Sequence, residues 1–314
     1  MKILVTGSTG FVGSRVVELA RERSWAVIPV VRKQIEAVTN SLVVASIEAS
    51  TDWSGAFEGV DCIVHCAARV HQMKESEQDA LLAYRGINTL GTLNLAKQAA
   101  EAGVKRFVFV SSIKVNGEFS EPNLPFEPNL KNTPKDLYGL SKYEAEVELV
   151  KLSKETGLEV VIIRPPLVYG PGVKANFLSM IRLIYKGIPL PFGAIKNQRS
   201  LVYLDNLSDL ILTGCEHPLA PGHTFLASDD QDVSTTQLMQ TIARAMEKSP
   251  RLIPIPMSWI QAGSSSLKKK HIAQRVCGNL QVDIGLTKEV LGWKPPVSFE
   301  QGIKRTVEAY LKSQ

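Results

Sequence analysis

"VTGSTGFVG", residues 5–13, decides the fold of this chain. The apolar run Ile3–Val5 leads into it and the amphipathic stretch "FVGSRVVELARER" begins inside it, so its glycines sit on a strand-to-helix turn. Gly7 permits the tight turn, Gly10 lets the backbone approach an anionic group, and Gly13 lets the helix pack close to the strand. The helix N-terminus then offers N–H groups without intrahelical partners and a partial positive charge, which suits a pyrophosphate. Thr9, Phe11 and Val12 complete the candidate contacts at this turn. A dinucleotide is the expected ligand.

Outward from the turn, short apolar runs alternate with longer amphipathic stretches. Strands are expected at Ile3–Val5, Ala26–Val31, Leu42–Val44, Cys62–His65, Phe107–Val110 and Val160–Ile163. Uninterrupted apolar strands separated by helices predict a parallel sheet covered on both faces, with ligands at the carboxyl ends of its strands. The fold class is therefore α/β, a doubly wound parallel sheet. After "IIRPPLVYGPG" Pro165, Pro166, Pro171, Pro189 and Pro191 break the rhythm. Residues 1–165 are read as the dinucleotide-binding domain and 166–314 as mainly a smaller substrate-binding domain. Segments near 199–213 and 236–248 are expected to return to the first domain.

Composition narrows the ligand class. The 314 residues carry a net charge of +5, scattered rather than clustered, which fits an anionic small molecule better than nucleic acid. The densest basic run, Lys268–Lys270, reads as a solvated helix face. Cys62, Cys66, Cys215 and Cys277 lack metal-ligand spacing, so no metal is expected. No apolar run reaches spanning length and "MKILVTG" is too short for a signal peptide, so no membrane partner and a cytoplasmic location are expected.

The second expected strand ends in "VIPVVRK", with Val31, followed by Arg32 and Lys33, where NAD sites usually carry a ribose-binding acid. A guanidinium can pair with a 2′-phosphate, so NADP(H) is favoured, with NAD(H) as the alternative.

"PKDLYGLSKYEAE" places Tyr138 and Lys142 on one face of a helix start, with Asp136 available as cap. Holding a tyrosine as phenolate near neutral pH costs about 4 kcal/mol. One ammonium ~4 Å away, at an effective dielectric of ~20, contributes a term of that size. A phenol made acidic by Lys142 would exchange protons with a substrate hydroxyl or ketone oriented by Ser112, at the end of "VFVSS".

Taken together, the glycine turn, "HCAA" at 65–68, "NTLGT" at 88–92, "SSIKVNG" at 111–117, "YGLSK" at 138–142, "RPPLVYGPG" at 164–172 and "LGW" at 291–293 resemble the extended short-chain dehydrogenase/reductases that act on nucleotide sugars. The resemblance covers nearly the whole chain. It implies a Rossmann-type fold, a UDP-sugar substrate and a homodimer. It also implies Ser112, Tyr138 and Lys142 as catalytic residues, with Asn88 supporting the helix geometry behind them. Ala67 and Pro165 are further candidate cofactor contacts. Asn176 and Phe177 would line the uridine side and Arg199 would grip the diphosphate. His65 is given no role.

Family members that eliminate water carry an Asp–Glu pair after the catalytic hydroxyl, where this chain has Ile113 and Lys114. What remains is hydride and proton exchange at sugar carbon 4. Lys114 is a candidate substrate contact. The missing ribose acid and the "SSIKVNGE" stretch rank a UDP-4-keto-6-deoxy-N-acetylhexosamine 4-reductase first. A UDP-glucose or UDP-N-acetylglucosamine 4-epimerase comes second, and a non-catalytic dinucleotide-binding subunit third.

Overall fold

The computed structural model describes residues 1–36, 38–70, 77–259, 274 and 276–314. Lys268–Lys270 lie outside the described residues. Seven strands form one parallel sheet: β1 (Lys2–Thr6), β2 (Ala26–Val31), β3 (Leu42–Val43), β4 (Cys62–His65), β5 (Arg106–Val110), β6 (Glu159–Arg164) and β9 (Thr224–Leu226). Their order across the sheet is β3-β2-β1-β4-β5-β6-β9. The chain winds outward from β1 to β3, then crosses back to β4 beside β1. The crevice between the ends of β1 and β4 is the switch point where such sheets bind ligands.

Both faces of the sheet are buried, which is why its strands read as continuous apolar runs. Ile3, Val5, Val64, Val108 and Ile163 face one core, with Val16 and Ala20 of α1 (Phe11–Glu22) and Leu207, Leu210 and Ile211 of α6 (Leu204–Glu216). Leu4, Ile63, Phe107 and Phe109 face the other. They pack there with Leu95 and Ala99 of α3 (Thr92–Glu101) and Ala145 and Leu149 of α4 (Leu137–Thr156). Between α2 (Glu77–Tyr84) and α3 the chain widens into a π-helical segment, Arg85–Gly91.

A third core lies beyond residue 166. A parallel pair, β7 (Leu167–Tyr169) and β8 (Leu201–Tyr203), packs with α5 (Ala175–Tyr185), α7 (Thr235–Ala245) and α9 (Phe299–Lys312). A short helix, α8 (Gly285–Leu291), precedes α9. One expectation is corrected here: the segment 236–248 does not return to the main sheet. Leu238, Met239, Ile242 and Ala243 of α7 face Tyr169, Ile181 and Ile303 in the third core, because the apolar stripe of α7 meets α5 and α9. The later strand that joins the main sheet is β9, which pairs with β6.

Candidate functional site: a glycine cradle beside a tyrosine–lysine helix

The turn after β1 is built for close approach. Gly7 holds a left-handed φ of +65°, and a Cβ placed there would lie 2.7 Å from the Ala67 nitrogen. A Cβ on Gly13 would lie 2.2 Å from the Gly7 carbonyl oxygen, so helix and turn meet backbone to backbone. Gly10 caps α1 without a side-chain hydrogen bond and no acid stands in the first turn, which leaves this N-terminus suited to an anion. Thr9 and Gly10 are exposed, and Phe11 and Val12 half-buried. These features fit the pyrophosphate of a dinucleotide. Ala67 donates its N–H to Thr6 Oγ1 across the switch point. Pro165 accepts from the Ile113 N–H at 3.0 Å, at the foot of the serine turn. Arg32 follows the buried Val31 at the end of β2 and is exposed.

Asp136 caps α4 by accepting the Gly139 N–H at 2.9 Å, which fixes Tyr138 in the first turn. A Cβ on Gly139 would stand 2.5 Å from the Lys114 carbonyl oxygen. The helix start therefore lies directly on the turn Ile113–Val115 that follows Ser112. Ser112 is half-buried, and its Oγ accepts the Lys114 N–H at 3.2 Å. Lys142 is buried; its Nζ donates to the Val110 carbonyl at 3.0 Å and stands 4.4 Å from the centre of the Phe109 ring.

Burial, then the charge of Asp136 and then Tyr84, push the Tyr138 phenol up to about 12. Burial lowers the Lys142 ammonium to about 8. The protein alone therefore holds Tyr138 as a neutral phenol. Lys142 is engaged by a strand carbonyl, and burial, followed by the carboxylate that caps the helix, raises the phenol.

The end of the helix carrying the tyrosine is tied from behind. Asn88, fully buried in the π segment, accepts the Arg69 N–H at 2.8 Å and donates to the Arg69 carbonyl and to Ser141 Oγ. Ser141 in turn donates to the Tyr138 carbonyl at 2.8 Å. Below it, Arg164 at the end of β6 forms a two-point pair with Glu146, both almost wholly buried. Ser111 donates to the same carboxylate, and Arg164 reaches on to Asn116 Oδ1 and the Pro128 carbonyl. The sequence reading selected neither Glu146 nor Arg164. Their signals are an arginine closing an apolar strand, and an acid one helical turn beyond the lysine.

Other expected residues fall differently. Lys114 Nζ pairs with Asp136 at 3.1 Å and Glu118 at 3.5 Å and stands 6.0 Å from the centre of the Tyr138 ring. Asn176 is exposed at the start of α5. The Phe177 side chain, expected on the uridine side, is turned into the protein interior. It is 1% exposed and stacks on Tyr169 at 5.4 Å inside the third core. Arg199 is largely buried, donates to the Gly278 carbonyl at 3.0 Å, and is held below its usual pKa by burial. Cys66 lies beside Lys142, but burial pushes its thiol up to about 12, which keeps it protonated.

The model of the NAD dependent epimerase/dehydratase family matches residues 3–227. The chain belongs to this family. As a member it is an enzyme of the extended short-chain dehydrogenase/reductase type, dependent on a nicotinamide dinucleotide. The chain is 49% identical to a protein of Vibrio cholerae named UDP-glucose 4-epimerase, over 99% of this chain and 96% of that one. Among solved structures, UDP-N-acetylglucosamine 4-epimerase from Bacillus cereus superposes with a TM-score of 0.80 at 20% identity, over 100% and 99% of the two chains. UDP-glucose 4-epimerase from Thermotoga maritima, solved with UDP-glucose, gives 0.73 at 26% identity, over 100% and 99%. For this family member the relatives reverse the order drawn from the sequence, in which a 4-reductase stood ahead of a 4-epimerase.

Proposed function

We propose that this enzyme epimerises carbon 4 of a UDP-hexose, UDP-glucose with its 4-epimer UDP-galactose or the N-acetylated pair. The observation that carries the reading is the full-length 49% identity to the Vibrio cholerae UDP-glucose 4-epimerase. The site supports it. Ile113 is buried and Lys114 is paired with Asp136 and Glu118, so the turn after Ser112 offers a sugar no carboxylate pair for eliminating water.

The backbone around Gly7, Gly10 and Gly13 would hold the dinucleotide. When bound, the nicotinamide supplies the hydride acceptor and donor and, when oxidised, a positive charge beside the phenol. Ser112 hydrogen-bonds the oxygen on carbon 4 and holds it toward Tyr138. With the phenol ionised by the combined charge of Lys142 and the bound oxidised dinucleotide, Tyr138 as phenolate would take the hydroxyl proton as carbon 4 is oxidised and, as phenol, return it as carbon 4 is reduced. Lys142 keeps an ammonium under this end of the helix. Asn176 and Arg199 are the proposed contacts to the nucleotide.

The 4-keto-reductase remains a second reading, and Arg32 is the observation that favours it. An epimerase that retains its cofactor goes with NAD(H), whereas a guanidinium at the end of β2 suits the 2′-phosphate of NADP(H). The assay separates them. Without added dinucleotide, the purified protein is expected to interconvert UDP-glucose and UDP-galactose, or the N-acetylated pair. Activity confined to a UDP-4-keto-6-deoxy-N-acetylhexosamine with NADPH would replace the first reading by the second. In that case Arg32→Ala should weaken NADPH binding more than NADH binding by calorimetry. Equal effects would remove Arg32 from cofactor selection.

We also propose a homodimer through α2 and α4, on whose outer faces Leu82, Val147 and Val150 are exposed. Sedimentation as a 34.4 kDa monomer at micromolar concentration would exclude it.

A further inference from the structure

We propose that His65 is a positioning residue: in its neutral Nε2–H form it joins the dinucleotide cradle to the helix that carries Tyr138. The inference rests on the site described above and concerns a residue to which the mechanism assigns nothing.

His65 ends β4 at the switch point, fully buried and stacked on Phe109 with ring centres 5.8 Å apart. Its Nδ1 lies 2.7 Å from Thr6 Oγ1 and its Nε2 2.9 Å from Thr92 Oγ1. The neighbours settle the tautomer. Thr92 Oγ1 spends its one proton on the Asn88 carbonyl, at 2.8 Å, so toward His65 it can only accept. Nε2 therefore carries the proton, Nδ1 accepts, and Thr6 donates to it. Thr6 Oγ1 is left to accept the Ala67 N–H at 3.3 Å. Burial, then the nearby Lys142 charge, lower the imidazole to about 3, in keeping with a neutral ring.

The donors and acceptors then run in one direction, passing at Asn88 from its backbone carbonyl to its side-chain amide through the residue itself. Ala67, against whose nitrogen Gly7 packs, donates to Thr6; Thr6 donates to His65; His65 donates to Thr92; and Thr92 donates to the Asn88 carbonyl. The Asn88 side chain donates to Ser141, and Ser141 donates to the Tyr138 carbonyl. One end touches the turn that would hold the pyrophosphate. The other holds the backbone of the proton-exchanging tyrosine. Every link between them is buried or half-buried, where water competes poorly for the bonds. A one-way chain of this kind fixes the distance between the two halves of the site, and the imidazole is its only member that spans from β1 to α3.

The test uses Thr6→Val and Thr92→Val, which keep the imidazole and side-chain shape, together with His65→Phe and His65→Gln. Thr6→Val, Thr92→Val and His65→Phe are each expected to lower kcat and dinucleotide affinity roughly five- to tenfold, with the sugar KM little changed. The Thr6→Val/Thr92→Val double variant should lose little beyond either single one, because one break already opens the chain. His65→Gln, which keeps a donor toward Thr92, should recover part of the loss. Independent, multiplying effects of the two threonine variants would overturn the proposal. So would a His65→Phe enzyme that melts lower but keeps kcat and dinucleotide affinity within about twofold. Calorimetry of the dinucleotide needs no sugar, so the chain can fail while the epimerase reading stands, or stand while that reading fails.

Discussion

Tyr138→Phe is expected to lower turnover by about 10²–10⁴-fold while leaving dinucleotide affinity within a few-fold of the parent, because only the proton-transferring oxygen is removed. The ring itself stays packed at the start of α4, edge-on to Tyr84 at 6.0 Å. In the protein alone the phenol is pushed up to about 12, so it is protonated until the site is filled. Taking a proton from a sugar hydroxyl then requires that the occupied site bring the phenol down. Lys142 alone cannot do this, since its ammonium donates to the Val110 carbonyl and is itself lowered to about 8. As the pH rises through about 8 the lysine loses its charge, so kcat/KM should fall on the alkaline side with a limb near that value. Lys142→Arg should abolish the limb at the cost of turnover. A Tyr138→Phe enzyme with near-parental turnover would take the proton exchange away from this residue.

The largest effect on stability is expected from Arg164→Met. Removing the guanidinium leaves the Glu146 carboxylate almost wholly buried, with the Ser111 hydroxyl as its remaining donor among the described residues. Such a break typically costs about 3–5 kcal/mol. The loop carrying Asn116 and Pro128 loses its tether in the same substitution. The double variant Arg164→Met/Glu146→Leu should recover much of the loss, because no unpaired charge then remains inside. Urea unfolding of the two single variants and the double variant measures the coupling. A single-variant loss below about 1 kcal/mol would mean that the pair is not buried as described.

How much of this was legible in the residues differs from element to element. The strands Ala26–Val31 and Cys62–His65 stand where the apolar runs place them, because burial on both faces leaves no polar interruption. The start of α4 was equally plain, since Asp136 caps a helix whose first turn carries Tyr138. The same carboxylate also raises the Tyr138 phenol, which a one-dimensional reading of a cap does not convey. Asn176 and Phe177 are neighbours in sequence, and only the phase of α5 turns one to solvent and the other into the third core. The widened segment Arg85–Gly91 ends in a close tertiary approach that spacing in the sequence does not convey: a Cβ on Gly91 would stand 2.4 Å from the Ile47 carbonyl oxygen. His65 read as one more buried residue at a strand end. Its partners Thr6 and Thr92 lie 59 and 27 residues away and meet it only in the fold.

The most direct measurement is the proton NMR spectrum of the product formed from UDP-galactose in D₂O by the protein as purified, with no dinucleotide added. Epimerisation by hydride transfer within a closed site predicts UDP-glucose that keeps protium at carbon 4. Deuterium at that carbon, or no conversion of either UDP-hexose pair, would contradict it.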